Sequence, residues 1–141
     1  MVVGIAALTV SFSLAHVLED FVNDVPARFS FETAPAALLV GLAYAFHVVL
    51  IALAARDEVL GYAGNLVVAV FWLVVAAVDH LGELLFAETY RAGLISGALV
   101  VGLLASALAL AVMSVVAWRL RRAVARSSVQ AIDLVEAPLP R

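Results

Sequence analysis

Apolar residues fall into four long runs along the chain, separated by short polar breaks. The runs cover about 2–22, 35–55, 60–86 and 92–118. Each is long enough to cross about 30 Å of hydrocarbon, which takes about 20 predominantly apolar residues. The breaks carry turn-forming residues: Asn23-Asp24-Val25-Pro26 through Thr33-Ala34-Pro35, then Arg56-Asp57-Glu58, then Glu88-Thr89-Tyr90-Arg91. Links this short make consecutive helices antiparallel neighbours. The pattern therefore predicts an all-α integral membrane protein, an up-down-up-down bundle of four transmembrane helices over residues 1–122. Residues 123–141 read as a surface tail, partly disordered, with weak helical spacing at Val124, Ile132 and Val135 and a closing Ala137-Pro138-Leu139-Pro140. No run alternates polar with apolar residues, so a β-barrel is not expected.

Composition strengthens this reading. Hydrophobic residues make up 66% of the chain and charged residues 13%, against about 45–50% and about 25% in a soluble domain. A globule of 141 residues cannot hide that much apolar surface, so a water-soluble enzyme is excluded. The net charge of −3 leaves no basic face for nucleic acid. Cysteine is absent, which removes disulfides, thiolate metal sites and cysteine nucleophiles.

All the basic residues are arginines, and their distribution predicts orientation. Arg56, Arg119, Arg121, Arg122, Arg126 and Arg141 belong to one side of the bundle, Arg28 and Arg91 to the other. Positive charge favours the cytoplasmic side, so both termini are expected there, in a multi-pass protein of the cell membrane. Tyr62, Phe86, Tyr90 and Trp118 fall near the expected interfaces, where aromatic rings are favoured. The first run has no basic flank and no small-residue cleavage site, so it reads as a retained span rather than a signal peptide.

Small residues supply helix packing in lipid, where the hydrophobic drive is missing. The second span carries Ala37, Gly41 and Ala45. The fourth carries Gly93-x-x-x-Gly97 on one face and Ala98, Gly102 and Ser106 on another. Packing within the chain accounts for one such face. The second would suit contact with another subunit, in a homo-oligomer or a larger membrane complex.

The informative residues are the ionisable ones inside the spans, which cost several kcal/mol unless paired or hydrated. The first span contains His16-Val17-Leu18-Glu19-Asp20 and the third Asp79-His80-Leu81-Gly82-Glu83. In each, a histidine precedes a glutamate by three residues, on one helix face. Both histidines stand six residues before the end of their span, about 9 Å below the external boundary. Thr9, Ser13, His16 and Asp20 form one continuous face of the first span. Asn65, Trp72 and Asp79 recur at heptad spacing in the third, with Ala69 and Ala76 between them. The second span adds Tyr44 and His47 at mid-depth, and the fourth only Ser96, Ser106 and Ser114.

Imidazole and carboxylate together suit a divalent transition metal such as Zn, Cu or Fe. On this reading His16, Glu19, Asp20, Asp79, His80 and Glu83 are candidate ligands, with His47 deeper as a further ligand or proton carrier. The order His-x-x-Glu reverses the Glu-x-x-His pairs of ferritin-like di-metal bundles, and the extra glutamates of those sites are missing. A b-type haem held by His16 and His80 is the second form of the same expectation. Either would serve redox or metal handling. The alternatives are a non-catalytic accessory subunit of a larger complex, a proton or ion path within an oligomer, and an intramembrane enzyme acting on lipids. A plainer reading has Glu19, Asp20 and Glu83 snorkel to water and leaves the histidines as hydrogen-bonding interfacial residues. The two His-x-x-Glu units also hint at a duplicated two-helix hairpin, although the counterpart of His47 in the second half is Ala111.

Overall fold

The computed structural model describes residues 1–28, 30–86 and 93–136, without the side chains of 28 and 128–136. The expected break at Glu88 to Arg91, with Tyr90, and the closing residues from Ala137 to Arg141 lie outside the described residues. Helices α1 (Val2–Val22), α3 (Thr33–Ala55), α4 (Val59–Phe86) and α5 (Gly93–Glu136) are each long and apolar enough to span a membrane. A single turn, α2 (Val25–Arg28), fills the first link. It was not expected from the apolar pattern, because four residues bury no stripe of their own.

The spans begin within a residue or two of their expected limits, and the main difference is at the far end. The last helix does not stop at Trp118 but continues to Glu136, 44 residues in all. Hydrophobicity ends where the membrane does, but helix propensity does not. Between Leu103 and Glu136 there is no Gly or Pro, and Ala, Leu and Arg are among the best helix formers.

The helices stand at the corners of a square in chain order. α5 packs on α4 and α1, and α3 packs on α4 and α1. The diagonal pair α1 and α4 touch only locally, and α3 and α5 do not meet among the described residues. The buried layer is built from Ala6 and Ala69, with Leu50 and with Val100, Leu103, Ala107 and Leu110 of α5. Large apolar side chains such as Leu38, Phe46, Val67, Phe71, Leu94 and Val101 point outward, as lipid-facing residues do.

Close approach of α3 and α4 depends on Gly61, with Gly64 against the Leu50 side chain. A Cβ at Gly61 would collide with the backbone of Leu53 and Ala54. The turn between these helices reverses tightly. Asp57 sits in the left-handed region at φ 61°. Its N–H bonds to the Ala54 carbonyl at 3.1 Å, and that of Glu58 to the Leu53 carbonyl at 3.0 Å. This pairing satisfies the last carbonyls of α3, and Asp is one of the few side-chain-bearing residues that tolerate the conformation.

The same aspartate fastens α5 to this turn. Its Oδ1 accepts the Tyr62 hydroxyl at 2.6 Å, and its Oδ2 lies 3.1 Å from Nε of Arg121. Arg122 lies over the Trp118 ring, 4.3 Å from its centroid. Elsewhere on α5 the small residues divide, with Gly93, Ala98 and Ala105 exposed. Ser96, Gly97 and Ser106 are buried, and the Phe12 ring of α1 fills the space a side chain at Gly102 would need.

Candidate functional site

The polar faces of α1 and α4 are buried stripes of small or polar residues. On α1 the buried positions are Val2, Ala6, Thr9, Ser13 and His16. On α4 they are Gly61, Tyr62, Asn65, Ala69, Ala76 and His80. Thr9 and Ser13 return their hydroxyls to their own helix, donating to the carbonyls of Ile5 at 3.0 Å and Val10 at 3.2 Å. The stripes leave the diagonal corners thinly packed until the two histidines close the gap.

His16 and His80 are 5% and 2% exposed. Their Nε2 atoms lie 2.9 Å apart, a hydrogen bond in which one donates and the other accepts. The rings meet edge to face, with centroids 4.7 Å apart. Carboxylates gather on the same two nitrogens. Oδ2 of Asp79 is 3.1 Å from His80 Nε2, and Oδ2 of Asp20 is 3.7 Å from His16 Nε2.

Behind His16 stands a second acid. Glu19 Oε2 is 3.7 Å from His16 Nδ1, too far for a hydrogen bond, and that nitrogen is buried with no partner among the described residues. The same Oε2 accepts the Ser96 hydroxyl of α5 at 2.7 Å. Three helices therefore hold the group: α1 and α4 supply the imidazoles, and α5 fixes the glutamate.

The structure thus brings together His16, His80, Glu19, Asp20 and Asp79. Glu83 is half-buried, one turn beyond His80 on the same helix. Asp79 is at the rim rather than in the seam, with its side chain 54% exposed. The buried line of α4 shares Asn65 with the expected heptad and then runs through Ala69 and Ala76 to His80, leaving Asp79 beside it. Ser96 is the residue that sequence reasoning undervalued. One serine among several in an apolar helix carries no signal until the helix opposite it is known.

His47 joins a separate group. It is 2% exposed, and its Nε2 lies 3.2 Å from Oδ1 of Asn65. The Asn65 amide nitrogen donates to the Gly61 carbonyl at 2.8 Å and the Leu50 carbonyl at 3.1 Å. Both amide hydrogens are spent, so Oδ1 is an acceptor and His47 Nε2 carries the proton. Nδ1 is then the accepting nitrogen of the neutral ring.

Among the described residues, no group of three or more His, Asp or Glu side chains is gathered closely enough to form a ready metal cage. What the site offers is a hydrogen-bonded imidazole pair with carboxylate oxygens on its nitrogens, buried near the C-terminal ends of α1 and α4. Such a pair can hold a proton, or exchange it for a cation at the same nitrogens. No family model matches the chain, and no curated protein or solved structure matches it.

Proposed function

We propose that this chain is a multi-pass protein of the cell membrane, with both termini cytoplasmic, that binds a transition-metal ion between α1 and α4 for redox or metal handling. The observation that carries the reading is the 2.9 Å approach of His16 Nε2 to His80 Nε2, with Asp79 Oδ2 at 3.1 Å and Asp20 Oδ2 at 3.7 Å. Atoms that share one cation at about 2.0–2.2 Å sit about 3–3.5 Å from one another. His16, His80, Asp79 and Asp20 would be the ligands. Glu19 would take the proton on His16 Nδ1, with Ser96 holding it in place, as carboxylates do behind metal-bound histidines.

The same distances favour an ion over a haem. Axial nitrogens on opposite faces of a porphyrin are separated by two metal–nitrogen bonds, about 4 Å. An edge-to-face imidazole pair in hydrogen-bond contact has no gap for a macrocycle.

The test is elemental analysis of detergent-purified protein, with an absorption spectrum of the same sample. The expected result is near-stoichiometric zinc, copper or iron without a Soret band. In H16A/H80A it falls at least tenfold, and it is unchanged in His47→Gln. Wild-type protein holding no more metal than H16A/H80A would overturn the reading. A Soret band lost in the double variant would replace the ion with haem.

A further inference from the structure

The outer surface of α5 changes character at Trp118. Before it the exposed residues are apolar: Leu108, Val112 and Val116 are 57%, 53% and 41% exposed. After it the exposed residues include Arg119, Arg121, Arg122 and Arg126. Arg56, the C-cap of α3, belongs to the same end, and the acids described there are Asp57 and Glu58. Positive charge is therefore in excess where the apolar part of the helix stops.

Two of the four arginines on α5 are already held. Arg121 lies 3.1 Å from Asp57 Oδ2, and Arg122 lies 4.3 Å from the centroid of the Trp118 ring. Arg119 and Arg126 are exposed, and neither forms an ion pair among the described residues. Seven positions separate them, which places them within about 20° of each other around the helix. Leu108 and Val112 fall within about 20° of Arg119 on the same count. One face of α5 thus carries an apolar strip that ends in two uncommitted guanidinium groups.

The scale of this face matches one leaflet. Leu108 is about 16 Å from Arg119 along the axis, half of a hydrocarbon core of about 30 Å. Helical side chains lean toward the N-terminus of their helix, which brings Arg126 back toward the level of Arg119. A guanidinium presents its N–H groups as a planar fork that suits phosphate oxygens. A ligand that fits both parts of the face has a phosphate at one end and an acyl chain at the other. A zwitterionic headgroup would bring its own cation into the arginine excess, and an acidic one would not.

We propose that this face of α5 binds an anionic phospholipid, its phosphate on Arg119 and Arg126 and an acyl chain along Val112 and Leu108. Each basic side chain at a membrane surface adds to the attraction for acidic lipid, and two give a preference of about five- to tenfold over a zwitterionic one. The site uses none of the proposed metal ligands and stands or falls separately from them.

The chain has two tryptophans, and Trp118 is the one beside the arginines. Trp72→Phe leaves it as the only reporter. Purified W72F protein is reconstituted into mixed vesicles of phosphatidylcholine and phosphatidylglycerol. One lipid or the other is brominated near the headgroup end of its acyl chains, and quenching of Trp118 emission is measured. The brominated phosphatidylglycerol should quench beyond its mole fraction, with the five- to tenfold preference. In W72F/R119Q/R126Q the preference should fall to within about twofold of unity, with circular dichroism confirming that the helices persist. Arg56→Gln, which removes a charge at the same end but off this face, should leave it in place. Equal quenching by the two lipids in W72F protein would overturn the proposal. So would equal losses in W72F/R56Q and W72F/R119Q, since the attraction would then belong to diffuse surface charge. Loss of the preference to inorganic phosphate at constant ionic strength would assign the arginines to a free anion and overturn the lipid.

Discussion

The two ends of this bundle treat charge in opposite ways. At the end where α3 turns into α4, opposite charges pair, although the buried Trp118 Nε1 has no hydrogen-bond partner among the described residues. Asp57 receives Tyr62 on one oxygen and Arg121 on the other, and Arg122 rests on Trp118. At the opposite end two imidazoles share a single hydrogen bond, carboxylates crowd the same nitrogens, and His16 Nδ1 has no hydrogen-bond partner among the described residues. A polar cluster that only holds a fold together closes on itself, because unpaired buried groups cost free energy. The imidazole pair instead stands among carboxylate oxygens, the arrangement on which the metal reading rests. The contrast separates the fastening from the candidate site more clearly than burial does.

Substitutions can break this contrast from either side. The largest effect is expected from Gly61→Val. Its side chain would enter the Leu53–Ala54 backbone, and overpacking against backbone costs about 3 kcal/mol or more. Folded monodisperse protein should be lost in size-exclusion chromatography. Next comes H16A/H80A, for which bound metal should fall to background while circular dichroism shows the helices retained. An equal loss of helix and metal would mean that the pair is structural.

Asp57→Ala should act the other way round. It removes the partners of Tyr62 and Arg121 and places Ala at positive φ, for a combined cost of about 1–2 kcal/mol. Thermal melting should register the loss while metal content stays at the wild-type level. Ser96→Ala should weaken metal affinity about tenfold, which is about 1.4 kcal/mol, by freeing Glu19 from its hydroxyl. Competition with a chelator reads that change, and Ser96→Thr should restore most of it. The smallest effect belongs to Arg122→Gln, below about 1 kcal/mol for an exposed cation–ring contact. It should appear in melting alone.

The spans were legible because a membrane helix must be apolar for about 20 residues, and polar residues therefore mark its ends. The matching depth of His16 and His80 followed from counting along two parallel helices. Their contact also needed the helices to stand at diagonal corners and to face inward, which short links made natural. Helix rotation was less legible. The heptad through Asn65 and Trp72 pointed to Asp79, yet packing turned α4 so that His80 lies inside and Asp79 at the rim. A difference of one position along the chain is about 100° around a helix, and apolarity on every side hides it. The Asp57 clasp was invisible for another reason: it joins a turn to a residue 64 positions later, through a helix whose extension past the membrane no hydropathy pattern demanded.

That extension has a mechanical meaning. At about 1.5 Å per residue, α5 is about 66 Å long, roughly twice the hydrocarbon thickness. It is a single shaft with Ser96 near one end and Arg126 near the other. Gly97 and Gly102 lie between the two, and beyond Gly102 the described helix has no proline or glycine. A rod of this kind transmits rotation as well as position. A protein gripping the arginine-bearing end and turning it a few degrees would swing the Ser96 hydroxyl relative to Glu19, on the far side of the membrane. The length of α5 thus joins the Ser96–Glu19 hydrogen bond and the Asp57–Arg121 clasp through one continuous helix.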